Sequence, residues 1–394
     1  MPTQFVPRAA RITRNTNQPT AFGEPVYVTR PPLPDLDQFH SHLEDIWRSA
    51  RLSNGGAKHK ALEDALREYL QARHISLFNN GTMALIIGCR ALRLSGEVIT
   101  TPFTFPATPH VLSWNNITPV FADIHPETLT LDAARIEPLI TSRTSAILAV
   151  HVYGMPCAVS DIQDLADAYG LKVIYDGAHA FGTKVDGRPI TDFGDATMLS
   201  FHATKLFHTG EGGALVVRDP SLHKRVELLK NFGIKQEFDV VMPGINGKMN
   251  ELQAALGLLT LRLVEAERLA RTLVATVYRE RLAQIEGLTC LDLPPNVQDS
   301  RQFFVIRINS AVSQIDRDAL YDRLKEYNIF TRKYFHPLCS QYNCYRLLPS
   351  SSPKNLPVAH RAAEEVLSLP FYGSLGHDGA HRVCDAITHI MGHR

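Results

Sequence analysis

The chain has 394 residues, 44% of them hydrophobic and 21% charged, the composition of a soluble globular protein of two or three domains. Lys plus Arg number 41 and Asp plus Glu 40, a formal charge of +1, which argues against non-specific binding to nucleic acid or an anionic membrane surface. No apolar run approaches the roughly 18 residues that span a bilayer.

Residues 1–30 are basic and Pro-rich, lack a hydrophobic signal core, and read as a loosely ordered arm. From Leu62 to Val217, helical patterns alternate with short apolar, β-branched runs. The runs are His74–Phe78, Glu97–Thr100, Pro119–Asp123, Ser145–His151, Lys172–Asp176, Ala196–Phe201 and Gly213–Val217. Thr82–Leu94 and Asp161–Tyr169 are among the helical patterns between them. Such alternation predicts an α/β domain with a mainly parallel, seven-stranded sheet covered on both faces. Ligands then bind beyond the carboxyl ends of the strands. Met249–Ile285 reads as one long helix joining this large domain (residues 31–255) to a small α+β domain (residues 256–394). In the small domain Phe303–Ile308 and Ile329–Tyr334 read as strands, and Ile315–Tyr327, Ala359–Leu367 and Asp378–Met391 as helices. Cys89, Cys157, Cys290, Cys339, Cys344 and Cys384 form no CxxC pair. They read as reduced, buried thiols of a cytoplasmic protein, and no metal site is expected.

Polar residues gather just past the predicted strand ends. Asp176 closes the strand Lys172–Asp176 and is followed by His179. Ser200, His202 and Lys205 follow the next strand. A Lys in a partly desolvated pocket has a lowered pKa and can bond a carbonyl carbon, and a buried Asp can keep a pyridine nitrogen protonated. The same two residues also fit a structural ion pair. Asn80-Gly-Thr-Met83 follows a strand and opens a helix, which suits either a phosphate cradle or a helix cap. Phe103 and Phe105, in Thr101–Thr108, suit either a ring-stacking surface or core packing. No G-x-x-x-x-G-K-[ST] or G-x-G-x-x-G run is present, so the nucleotide triphosphate and dinucleotide motifs are missing.

In this order, N-G-T-M-A-L, T-P-F-T-F-P-A-T, Y-D-G-A-H-A, S-F-H-A-T-K-L-F-H-T-G-E-G-G and G-I-N-G-K-M-N-E-L-Q-A-A-L-G resemble the DegT/StrS-type sugar aminotransferase family. The resemblance runs from Pro31 to near the C-terminus and implies the type I fold of pyridoxal 5′-phosphate enzymes. Lys205 matches the lysine that bonds the cofactor aldehyde and then shuttles a proton. Asp176 matches the partner of the pyridine nitrogen, and His179 a Gln-or-His position beside the ring's phenolic oxygen. Phe105 matches the aromatic stacked on the ring. Gly81, Thr82, Met83 and Ser200 match the phosphate cradle, the first three chiefly through backbone N–H groups. Lys248 matches a position that reaches the cofactor phosphate of a neighbouring subunit, which implies a homodimer with a shared active site. Here Ile245 and Gly247 replace two aromatics of the usual family run.

The family acts mostly on nucleotide-linked keto sugars with glutamate as amino donor. Arg332, Tyr334 and His336 are the candidate substrate residues, with Arg51, Asn54 and Lys58 as further candidates for the entrance. The wording of the motifs is most similar to the branch that aminates carbon 4 of dTDP-4-keto-6-deoxyglucose. Amination at carbon 3 is the alternative within the family, and a non-catalytic amino-sugar-binding regulator the alternative outside it. Lys205 argues against relatives that carry His at that position and act as dehydratases.

Overall fold

The computed structural model describes residues 19–313 and 315–392. Its centre is a seven-stranded sheet of β1 (His74–Phe78), β2 (Glu97–Thr100), β3 (Thr118–Phe121), β4 (Thr144–Val150), β5 (Lys172–Asp176), β6 (Ala196–Ser200) and β7 (Gly213–Val217). The strands lie in the order β1-β7-β6-β5-β4-β2-β3, and only β7 runs against the others. The inner strands are almost continuously apolar, as burial on both faces requires. Ala146–Val150, Val173–Tyr175 and Ala214–Val217 are all buried.

Helices α1 (Leu36–Ser49), α2 (Ala57–Tyr69), α3 (Gly81–Ala91), α4 (Ala107–Trp114), α5 (Val159–Tyr169) and α6 (Pro220–Leu229) belong to this unit. Three of them begin at side-chain caps, Asp35 on α1, Asn80 on α3 and Asp219 on α6. Asp176, Ser200 and Phe78 end their strands at the same sheet edge where β7 begins, because Gly213 pairs with both Phe78 and Ser200. Chemistry at the strand ends is therefore concentrated on one edge.

The expected single helix Met249–Ile285 is two helices, α7 (Glu251–Leu261) and α8 (Val264–Leu282). The Thr260 hydroxyl donates to the His208 carbonyl at 2.7 Å, pinning the end of α7 to the large unit, and the chain turns before α8. No Gly or Pro marks the break, so periodicity passes over it. The second unit carries a three-stranded antiparallel sheet of β8 (Leu288–Cys290), β9 (Phe304–Ile308) and β10 (Val366–Leu369). Helices α8, α9 (Arg317–Leu324) and α11 (Gly376–Gly392) surround a core of Tyr278, Phe304, Leu320, Leu367 and Ile387, whereas α10 (Pro357–Glu365) buries Ala359, Ala362 and Ala363 in a second cluster with Phe103, Phe121, Val305 and Phe335. The expected helix Ala359–Leu367 thus stops at Glu365, because Val366–Leu369 pairs with β9. The expected strand Ile329–Tyr334 is only Ile329–Phe330, pairing in parallel with Val26–Tyr27.

That pairing also corrects the expected arm where it can be seen. Residues 19–30 pack on the C-terminal unit, with Phe22 N–H donating to Tyr327 O at 3.0 Å and Phe371 N–H to Val28 O at 2.9 Å. Residues 1–18 lie outside the described residues. Four of the cysteines are buried as expected of apolar thiols, Cys290 is half-buried and Cys344 is exposed. No helix of the described residues is long and apolar enough to cross a membrane.

Candidate active site

The site begins where α3 leaves the sheet edge. The Asn80 carboxamide oxygen accepts the Met83 N–H at 2.8 Å. Met83 is therefore unavailable as a phosphate donor through its N–H, contrary to expectation. The Gly81 and Thr82 N–H groups make no hydrogen bond among the described residues, as first-turn helix donors do when they await a ligand or water. Two glycines let the backbones close in around them. A Cβ on Gly213 would stand 2.6 Å from the Gly81 nitrogen, and one on Gly81 would stand 2.9 Å from the Met198 sulfur and 3.3 Å from Ser200 Cβ. Gly81, Thr82 and Ser200 are thus brought together around two unpaired donors at the positive end of a helix dipole.

Asp176 ends β5 and is only 4% exposed. Its Oδ1 accepts the Ala178 N–H at 3.0 Å and its Oδ2 accepts the Thr108 hydroxyl at 2.8 Å. Burial raises the carboxyl pKa, and those two donors and the Lys205 charge oppose the rise. Lys205 stands in the loop after β6, where burial lowers its ammonium from 10.5 to about 8 and Asp176 pulls it back up. Its Nζ lies 5.9 Å from the centre of the Phe303 ring. His179 is buried, which pushes its imidazole well below its ordinary value, with the Lys205 charge adding to the effect. Its Nδ1 accepts the Tyr153 N–H at 3.1 Å, so the neutral ring carries its proton on Nε2. The His179 and Phe335 rings lie parallel with centres 6.0 Å apart, and the edge of Phe303 meets His179 at 4.9 Å.

Residues 35–388 match the model of the DegT/DnrJ/EryC1/StrS aminotransferase family. The chain belongs to this family. It is 44% identical, over 89% of its length and 95% of the relative's, to a dTDP-4-amino-4,6-dideoxy-D-glucose transaminase of Escherichia coli. Among solved structures it matches DesI, crystallised in the presence of its TDP-sugar product, with TM-score 0.90, 38% identity, and 95% and 94% of the two chains covered. It also matches NtdA of Bacillus subtilis, which has the cofactor PMP bound, with TM-score 0.82, 26% identity, and 91% and 82% covered. These likenesses extend to fold type I, and the chain is a sugar aminotransferase rather than a binding module that merely keeps the fold.

The remaining residues of this aminotransferase sort by position. Phe103 is core, meeting Tyr153 and Phe335 edge-on at 6.1 and 5.7 Å. Phe105 is 59% exposed and free to present a face to a ligand. Tyr334 reaches the site through Phe303, with ring centres 5.5 Å apart, and its carbonyl accepts the Tyr153 hydroxyl. Arg332 and His336 are exposed beside it. Lys333 between them is engaged by Asp318 at 2.7 Å. Lys58 pairs with Asp45 at 2.8 Å and Arg51 donates to the Asn54 carbonyl at 2.8 Å, so both entrance cations are occupied locally. Lys248 Nζ donates to Asn231 Oδ1 at 2.8 Å and lies 5.2 Å from the Phe232 ring centre.

Three supporting residues escape the sequence. Gln302 accepts the Leu206 N–H at 2.7 Å and donates to the Thr204 carbonyl at 3.0 Å, bracketing Lys205. The Ser300 hydroxyl donates to the His179 carbonyl at 2.7 Å. Thr108 serves Asp176 in the same way. For Thr108 the only signal in the sequence is its place at the end of T-P-F-T-F-P-A-T; Ser300 and Gln302 carry none.

Proposed function

We propose that the chain is a pyridoxal 5′-phosphate-dependent aminotransferase that uses L-glutamate to aminate carbon 4 of dTDP-4-keto-6-deoxyglucose, giving dTDP-4-amino-4,6-dideoxyglucose. The buried Asp176 and the low-pKa Lys205, sharing a sheet edge with unpaired helix N–H donors, carry the cofactor reading. The sugar rests on the activity for which the E. coli relative is named and on the TDP-sugar product with which DesI was crystallised.

The residues fit the cofactor. A small anion suits the Gly81 and Thr82 N–H groups and the Ser200 hydroxyl, where a glycine Cβ would crowd the backbone. When bound, pyridoxal phosphate supplies an aldehyde that takes up an amino group and a protonated ring that accepts the electron pair of the adjacent carbon. Asp176 holds the proton on the ring nitrogen. His179 offers its Nε2 proton as a hydrogen bond. Lys205 Nζ takes the proton from the amino-bearing carbon of glutamate and later delivers one to the sugar carbon. An ammonium tuned to about 8 serves both tasks near neutral pH. The homodimer with Lys248 reaching the partner's cofactor phosphate is part of this proposal.

The test is incubation with glutamate and a panel of 4-keto and 3-keto nucleotide sugars, with the product stereochemistry read by NMR. Amination at carbon 3 alone would overturn the sugar assignment. Lys205→Ala is expected to abolish turnover and the near-visible absorption band that arises from the bond between the lysine and the cofactor, and retention of both would overturn the cofactor reading.

A further inference from the structure

From the hydroxyl pair behind the buried carboxylate we infer that Thr108, oriented by Thr104, is a positioning residue that fixes Asp176 as the acceptor for the cofactor's ring nitrogen. The inference rests on the cofactor reading above. Thr108 Oγ1 donates to Asp176 Oδ2 at 2.8 Å, which uses its only hydrogen. Thr104 Oγ1 lies 2.8 Å from Thr108 Oγ1, so Thr104 must be the donor in that bond. With Asp176 ionised and so acceptor-only, the direction of the chain, Thr104 to Thr108 to Asp176, follows from hydrogen count. Both threonines are buried, at 1% and 0% exposure, so water does not compete for these bonds.

Thr104 is itself held from the second unit. Its carbonyl accepts the Cys339 thiol at 3.2 Å, and the Pro102 carbonyl accepts the Cys339 N–H at 3.0 Å. Cys339 follows His336 by three residues, so the segment bearing the substrate candidates Tyr334 and His336 also steadies the relay behind the cofactor carboxylate. One carboxylate offers about four lone-pair directions. Ala178 takes one on Oδ1 and Thr108 one on Oδ2, which stops the group rotating and leaves further lone pairs for the ring. Both donors also favour the charged form against the effect of burial.

Thr108→Val keeps the shape and loses the hydroxyl, whereas Thr108→Ser keeps the hydroxyl and loses the methyl. The readout is the affinity of the cofactor-free protein for pyridoxal 5′-phosphate, followed by absorbance at several pH values. Thr108→Val is expected to bind about 10-fold more weakly, the worth of one hydrogen bond to a charged group. The deficit should widen as pH falls, because an unsupported buried carboxylate takes up its proton at higher pH. Thr108→Ser should stay within about 2-fold of the parent, since it keeps the bond to the carboxylate. Equal affinity of parent and Thr108→Val would overturn the inference and leave the cofactor reading standing, as would a Thr108→Ser as weak as Thr108→Val. Failure of the parent protein to bind the cofactor would overturn both. If melting shows that Thr108→Val does not fold, Thr104→Val carries the test. It leaves the bond to Asp176 in place but unoriented, so about a 3-fold loss is expected, and no loss would overturn the relay.

Discussion

Lys205 is the residue whose environment most directly sets a measurable property. Burial lowers its ammonium to about 8, and the Asp176 charge resists that shift. Only the neutral amine is a nucleophile. The rate at which cofactor-free protein takes up pyridoxal phosphate should therefore rise with pH through a midpoint near 8 and then level off. Stopped-flow absorbance across pH checks this, and a midpoint near the ordinary lysine value of 10.5 would contradict the burial argument. Asp176→Asn removes the charge that holds the ammonium up, so its midpoint should move lower still. Asp176, Lys205 and the Asn80–Thr82 turn were legible in the sequence because each follows an apolar strand run and carries its own chemistry. Met83 enters the cradle only through the family resemblance, and the sequence leaves the turn open between cradle and cap; the structure shows the Asn80 side chain capping the helix by taking the Met83 N–H.

At the scale of elements, the segment between Ser300 and Phe303 links the two units. It leads into β9 of the small unit, yet Ser300 bonds the His179 carbonyl and Gln302 brackets the Lys205 loop. Gln302→Leu would leave the buried Leu206 N–H and the half-buried Thr204 carbonyl without their Gln302 partner. A loss of about 2 kcal/mol in stability is expected, together with faster cofactor release, because one buried and one half-buried backbone group lose their bonds. Denaturant melts and a dilution assay measure the two effects, and an unchanged release rate would separate Gln302 from Lys205. This link was invisible in the sequence because it joins residues 96 positions apart through an amide with no motif of its own. The seven strands, in contrast, were read within two residues of their ends, since burial on both faces writes itself as a continuous apolar run. The break between α7 and α8 was missed because helical periodicity continues across Arg262 and Leu263, and the cause is a tertiary bond from Thr260.

At the scale of the whole molecule, the near-neutral charge leaves its anionic ligands to local groups, and one of those groups raises the question of a second chain. Lys248 lies over Phe232 at the base of a hairpin formed by Ile234–Gln236 and Asp239–Val240. Phe238 on that hairpin is 93% exposed and Val240 64%. In our reading a second copy of the chain covers these exposed apolar side chains. If Lys248 then reaches the partner's cofactor phosphate, each active site needs Lys205 from one chain and Lys248 from the other. Lys205→Ala and Lys248→Ala should each be severely impaired alone. In a mixed dimer of the two variants one site carries both defects, and the other carries none. Refolding the two variants together in equal amounts makes half the dimers mixed, so activity should return to about a quarter of the parent's. Two outcomes would defeat the shared site: no recovery on mixing, or full activity of Lys248→Ala by itself. Phe238→Asp should weaken association without touching either lysine, and sedimentation of that variant at falling concentration reads the dimer directly.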